Sequence, residues 1–325
     1  MTIPSPNLET AFWLESDRMF ELAFSPLSLD TQRLVVVEEF RQRYLNQPYG
    51  DTWLLLRPLA YQVHPYQWAT IGKEVAHIED ATLEDVKQFF NDYYHPANAI
   101  LTLSGDITFE RAQQLTEKWF GPIPSKKIVR NLIPIEPAQE GKRTLTIEKA
   151  VPYDAIYKSW HCCSRFDAEY YATDLLTDVL SGGKSSRLFN VLVKEKKLFS
   201  SISAYMTGDL DPGLVVAEGK LVSGVNMAEA EKALDEEIQK MIEQKVTERE
   251  LNKVKQKAES GLIFGEMNHD NRALNLAYFE MLGDANLIND QIESYRKVDA
   301  DQIQKIAKSI LKEDNSSVLY YLAKK

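Results

Sequence analysis

Two adjacent carboxylates, Glu38 and Glu39, stand in the run Gln32-Arg33-Leu34-Val35-Val36-Val37-Glu38-Glu39-Phe40-Arg41-Gln42-Arg43, which is closed by Asn46-Gln47-Pro48-Tyr49-Gly50. A carboxylate among apolar residues can accept a proton, ligate a cation or pair with a cation one helical turn away, here Arg43 at i+4. Neighbours on a helix point about 100° apart, so only one of the two can face a common site. The other residues with ligand or nucleophile chemistry are scattered. His161-Cys162-Cys163 joins soft-metal ligand types, but a strand over Trp160 to Cys163 puts His161 and Cys163 on one face and turns Cys162 away, leaving too few ligands. As sequence neighbours the two cysteines are poorly placed for an ordinary disulfide, and both are expected as buried thiols. His64, His77 and His95 occur singly, without the i, i+4 pairing of a zinc-binding helix. Gly183-Lys184-Ser185 looks like the end of a phosphate loop, but the first glycine of G-x-x-x-x-G-K-S would fall on Asp178.

These residues have to be positioned by elements that the pattern also outlines. Asp30-Thr31 is suited to cap the helix of Glu39, with residues 34 to 37 and 40 as its core-facing stripe and Pro48 and Gly50 as its stop. Ahead of it, Asn7 starts a helix carrying Leu8, Ala11, Phe12, Met19 and Phe20, with Glu15, Asp17 and Arg18 on its polar side, ending before Pro26. Trp53 to Leu56 is an apolar run, followed by a loop at His64-Pro65-Tyr66. Thr82-Leu83-Glu84-Asp85 opens a helix with Val86, Phe89, Phe90, Tyr93 and Tyr94 on one face and Pro96 as its stop. Ala99 to Leu103 is expected as a strand, Gly105-Asp106 as a turn, and Thr108 as the cap of a helix through Trp119-Phe120. Prolines at 122, 124, 134 and 137 give the stretch to Gly141 the composition of an extended linker. Beyond it come strands at 144 to 147 and 155 to 163, a helix near 172 to 180, a turn at Ser181 to Lys184 and a further helix through Phe189. Strands around 200 to 205 and 214 to 222 follow. Asn226 caps one more helix, and the capping box Thr247 to Glu250 opens the next.

With 325 residues, 44% of them hydrophobic and 26% charged, the chain has the composition of a soluble protein with ample cores. Its 38 basic against 48 acidic residues leave a net charge of −10, a field that repels nucleic acid and anionic membrane surfaces. No signal-like start and no apolar run of about 18 residues is present, so the given chain carries no address and its compartment is left open.

The end of the chain repeats an earlier part. At an offset of 217 residues Val86 matches Ile303, Phe89 matches Ile306, Tyr93 matches Ile310, Asn98 matches Asn315 and Leu101 matches Val318. Two similar α+β halves are therefore expected, divided as residues 1–122, a linker at 123–143 and residues 144–325. Set against its twin, the first half lacks about its first seventy residues.

The segments Leu14 to Met19, the run 35 to 42 and Asn46 to Gly50 together resemble the inverted-zincin peptidases of the pitrilysin and insulinase type, with the mitochondrial processing peptidases and their bacterial relatives. The resemblance implies two α+β halves facing each other across a chamber, each a mainly antiparallel sheet with helices on one face. It also implies zinc-dependent endopeptidase cleavage of small or unfolded polypeptides, in which zinc polarises the scissile carbonyl and the motif glutamate takes a proton from water. In that family a helical H-x-x-E-H supplies two His ligands and the general base, and a glutamate on a later helix completes the site. By its place in the motif that last ligand is Glu39. No H-x-x-E-H occurs in this sequence. Family spacing puts it about 40 residues ahead of Met1, and its twin near Leu175 to Val179, a segment without zinc ligands. The Arg and Tyr that many relatives carry in the second half, for substrate and for the tetrahedral intermediate, correspond to Val193 and Ser200. The expectation is thus a peptidase fragment, inactive alone, with no catalytic residue of its own and no zinc bound. The alternative is a non-catalytic partner that binds peptides or lines the chamber of an active subunit. A truncated first half would expose apolar surface, so self-association is expected.

Overall fold

A computed structural model describes residues 1–324. Its helices are α1 (Leu8–Phe20), α2 (Pro26–Phe40), α3 (Thr52–Ala60), α4 (Val75–Glu79), α5 (Leu83–Tyr93), α6 (Phe109–Trp119), α7 (Tyr170–Ser181), α8 (Met227–Glu243), α9 (Glu248–Gly265), α10 (His269–Met281), α11 (Gln291–Lys297) and α12 (Ala300–Ile310). The strands are β1 (Arg143–Lys149), β2 (Ala155–His161), β3 (Phe199–Met206), β4 (Leu214–Leu221) and β5 (Ser316–Ala323). Two compact units are present, one of residues 1–39, 74–132 and 260–291, the other of residues 40–73, 133–259 and Ile292 onward. No helix among the described residues is long and apolar enough to cross a membrane.

The second unit holds the sheet. Its strand order is β1-β5-β2-β4-β3, with β1 parallel to β5 and the other neighbours antiparallel. Strand β2 is buried nearly end to end, as a central strand covered on both faces must be. One face carries Ala155, Tyr157, Leu214, Val216, Leu319 and Tyr321 and packs against Leu56, Ala60 and Tyr61 of α3 and the turn after it. The opposite face is covered by α8, to which buried Lys158 reaches through Asp235 (2.6 Å) and Tyr320 through Glu231 (2.8 Å). Helix α12 packs on both α7 and α8. Helices therefore lie on both faces of this sheet, where one face was expected. The run Trp53 to Leu56 is the reason, because its apolar side chains need burial and find it on the face that α8 leaves open.

The first unit is helical, with no strand among its described residues. Its interior is built on aromatic and aliphatic contacts, Phe12 with Phe120 at 6.2 Å, Phe24 with Phe90 at 5.3 Å, and fully buried Leu115. The strand expected at Ala99 to Leu103 does not form. Strand character in sequence asks for a pairing partner, and no strand among the described residues pairs with this segment. Helix α2 begins at Pro26, four residues before the expected cap. Proline is favoured at the first helical position, and Ser25 Oγ accepts the Ser28 N–H (3.1 Å) as the cap, so the residue expected to end one element opens another. Of the expected stripe only Val37 and Phe40 are buried, while Leu34 and Val35 face solvent.

The 217-residue repeat returns as local geometry. Helices α5 and α12 match residue for residue at that offset, and both begin in a capping box, Thr82 with Asp85 and Asp299 with Gln302. After each, an asparagine amide donates back to the last helical carbonyl, Asn98 to Tyr93 (3.1 Å) and Asn315 to Ile310 (2.8 Å).

Candidate functional site

Helix α2 places Glu39 between buried Val37 and Phe40, with its side chain half-buried, while Glu38 faces solvent. One carboxylate of the pair is thus set apart, as helical geometry requires, and both engage other groups. Immediately after Phe40 the helix widens into a π-turn over Arg41–Leu45, and Tyr49 takes a left-handed φ of 63° in the turn that leads to α3. Widened turns of this kind recur at functional sites.

The histidines do not gather round this carboxylate as a ligand set. His161 Nε2 donates to the Ala60 carbonyl (2.9 Å), and burial holds its pKa below the usual imidazole range. His64 accepts the Tyr66 N–H on Nδ1 (3.1 Å), which puts the proton on Nε2, 3.4 Å from Asp211. His269 Nδ1 lies 3.2 Å from the Ser104 hydroxyl, and His77 lies on α4. His95 is fully buried, with no hydrogen-bond partner on either ring nitrogen among the described residues. No three His, Cys, Asp or Glu side chains among the described residues converge as a cation site. Zinc needs at least three protein donors, so this chain's residues do not fit a zinc site by themselves.

Polar groups that sequence reasoning passed over fix the segment following Glu39 to the sheet. Asp51, buried, accepts from the Tyr321 hydroxyl (2.8 Å) and from Lys149 Nζ, and burial together with that carboxylate pushes the Tyr321 phenol up. Tyr49 Oη donates to the Tyr153 carbonyl (2.8 Å), and Lys220 lies over its ring (4.6 Å). Further on, Glu136 accepts three backbone N–H groups, from Gln62, Val63 and His64 (2.8 to 2.9 Å). Burial acts to raise the Glu136 pKa, but those three donors outweigh it and hold the carboxyl low. Glu136 sits in the Pro-rich linker, so composition alone hid it. Charge offered the only signal, an acidic residue between two prolines in a basic and polar stretch.

The cysteines are free thiols. Cys162 is buried and Cys163 half-buried, with Cys163 Sγ 3.4 Å from the Thr173 hydroxyl. Strand β2 ends at His161, so the alternation expected through Cys163 stops short. Gly182-Gly183 forms a turn with a left-handed φ of 97° at Gly183, and the neighbouring Ser186 hydroxyl is buried without a hydrogen-bond partner among the described residues. Val193 is half-buried in a π-turn over Phe189–Glu195. Ser200 is exposed on the edge strand β3, its hydroxyl donating to the Lys220 carbonyl (3.1 Å).

With this geometry in hand, comparison with known proteins is specific. Residues 80–258 match the family described as the peptidase M16 inactive domain. The chain is 27% identical to the zinc protease PqqE of Helicobacter pylori over 327 residues, 97% of this chain and 71% of that protein. It is 23% identical to the uncharacterized zinc protease YmxG of Bacillus subtilis over 312 residues, 94% of this chain and 73% of that one. The crystal structure of a protease from Helicobacter pylori superposes with a TM-score of 0.92 at 25% identity, covering 98% of this chain and 77% of the other. An M16 inactive domain from Pseudomonas fluorescens has the same fold, with a TM-score of 0.85 at 18% identity over 98% of this chain and 77% of that one. The matched stretch takes in α5, α6, the linker, four of the five strands and α7 to α8, more than half of the sequence, and the chain therefore belongs to the M16 peptidase family.

Proposed function

We propose that this chain is the larger part of an M16-type zinc-dependent metalloendopeptidase acting on peptides or unfolded polypeptides, and that Glu39 is its one contribution to the metal site. The observation that carries this reading is the setting of Glu39, a half-buried carboxylate between two core residues on the helix where the family motif expects a ligand. The imidazole donors and the general base then have to come from other polypeptide, because the chain's own histidines are spread over separate elements. Two family-like halves, residues 1–122 and 144–325 joined by 123–143, belong to the same reading, supported by the matched caps and asparagines of α5 and α12. The purified chain is expected to hold no stoichiometric zinc and to leave a quenched peptide intact. One tightly bound zinc per chain in metal analysis would contradict this. Supplied with a polypeptide carrying H-x-x-E-H, the chain should gain zinc and hydrolysis, and Glu39→Gln should remove both while Glu38→Gln should not.

A second reading is favoured by the family match itself, which is to the inactive type of domain, and by Val193 and Ser200 at the substrate-contact positions. Here the chain is a non-catalytic subunit that presents peptides to an active relative. The two readings separate on one variant, since Glu39→Gln should leave stimulation of an active subunit unchanged if the second holds.

A further inference from the structure

Two neighbouring thiols with different surroundings follow the end of β2. Cys162 is buried, and its N–H donates to the Gly213 carbonyl (2.9 Å). Cys163 is half-buried and keeps part of its surface in solvent, with its Sγ 3.4 Å from the Thr173 hydroxyl in the first turn of α7. Gly213 donates in return to the Cys163 carbonyl (3.4 Å), and the Arg165 N–H donates to the Asp209 carbonyl (2.9 Å), so the pair is laced to the loop 209–213. The far side of that loop is held by Tyr61, whose hydroxyl donates to the Pro212 carbonyl (3.1 Å).

Strand alternation would turn the two side chains to opposite faces, but β2 ends at His161 and the thiols engage each other. The bond from Cys162 holds the Cys163 thiol below its usual range, with help from Thr173 and against burial. The same contact, together with burial, pushes the Cys162 thiol up. Cys163 is thus the richer in thiolate, the reactive form, and Cys162 keeps its proton. We propose that Cys162 and Cys163 form an oxidative modification site for hydroperoxides, which convert the pair to a vicinal disulfide and so free the loop 209–213. In the first step the Cys163 thiolate attacks one oxygen of hydrogen peroxide and the O–O bond breaks. The departing hydroxide leaves as water on taking up the proton that the thiol had released, and Cys163 becomes a sulfenic acid. In the second step the Cys162 sulfur, giving up its proton, displaces the sulfenic hydroxyl, which leaves as a second water. The two thiols lose two electrons, and one peroxide is reduced to two waters. Neighbouring Cα atoms are only about 3.8 Å apart across a trans peptide, below the roughly 4.4 to 6.8 Å that a disulfide ordinarily spans. The ring is therefore strained and of the readily reduced kind, which makes the modification reversible. Closing it turns the Cys162–Cys163 peptide and breaks its two bonds to Gly213.

Neither step involves Glu39, so the outcome is independent of the peptidase reading. The probe is hydrogen peroxide, added to the reduced full chain. Trypsin cuts after Lys158 and Arg165, which puts both sulfurs in the peptide Ser159–Arg165. Digested without reduction, that peptide should be lighter by two hydrogens after oxidation and should regain them with dithiothreitol, and this measurement needs no variant. Amide exchange at Cys162 and Gly213 should rise by at least about 10-fold in the oxidised chain, while Val215 and Val216 of β4 stay protected. Cys162→Ser should halt at the Cys163 sulfenic acid, which dimedone captures. Cys163→Ser should slow oxidation of the remaining thiol by at least about 10-fold. A peptide unaltered by millimolar peroxide would overturn the proposal. So would Cys163 passing straight to the sulfinic acid, a disulfide that joins two chains, exchange unchanged by oxidation, or a Cys162 that reacts as fast in Cys163→Ser as the pair does in the parent.

Discussion

At the scale of single residues, the best-defined electrostatic contact in the second unit is Arg187 with Glu250, two parallel bonds of 2.8 and 3.0 Å. Glu250 also closes the capping box of α9 by accepting from Thr247 (2.8 Å). The Arg187 bonds are the largest influence on the Glu250 carboxyl. With the Thr247 bonds they outweigh its partial burial and bring its pKa down to about 2 from an ordinary 4.5. A carboxylate depressed in the folded state adds stability that is present above the unfolded value and is lost as pH falls through the folded one. The contribution should therefore fade between about pH 4.5 and about pH 2. The Glu250 side chain keeps 27% exposure, which trims its value through solvent screening. Glu250→Gln is expected to cost about 1 kcal/mol in urea unfolding near neutral pH and almost nothing near pH 2. An equal cost at both pH values would show that the pair acts by packing and not by charge.

At the scale of elements, α5 and α12 offer a paired experiment. They have the same length, the same kind of cap and the same asparagine afterwards, but α12 buries Ile303, Ile306, Ala307 and Ile310, whereas α5 buries only Phe90. Thr82→Ala and Asp299→Ala should each lower stability by about 1 kcal/mol, since a cap acts on the helix's own unpaired N–H groups and not on what the helix packs against. A large loss at one and none at the other would show that packing governs these caps. Capping signals were legible because they are local. Thr82, Thr108, Asn226 and the Thr247 box all stand where the pattern put them. The start of α2 was not legible, because proline reads equally well as a stop and as a first helical residue, and only the Ser25 hydroxyl on the Ser28 N–H decides between them.

At the scale of the whole molecule, α2 presents an apolar stripe to solvent. Leu27 is 78% exposed, Leu34 72% and Val35 54%, at i, i+7 and i+8, which is one helical face. An exposed apolar face of this kind favours association. The isolated chain should therefore self-associate with rising concentration, and Leu34→Glu with Val35→Glu should return it to a monomer by light scattering. If the double variant has the same mass distribution as the parent, α2 is not the surface responsible.

The amino-acid sequence by itself determined whatever depends on residues close together in the chain, namely helix faces, caps, turns, the 217-residue repeat and the separation of Glu38 from Glu39 by the 100° step of a helix. It also carried the resemblance to the inverted zincins, because a motif is a local pattern. Tertiary structure decided the rest. Residues 99–103 and β5 have similar strand character, yet only β5 is a strand, because pairing needs neighbours that sequence distance does not specify. The placement of α3 on the sheet, the three N–H groups that converge on Glu136, and the burial of Asp51 under Tyr321 are likewise long-range outcomes. They join residues up to 270 positions apart, where only the packed chain sets the distances.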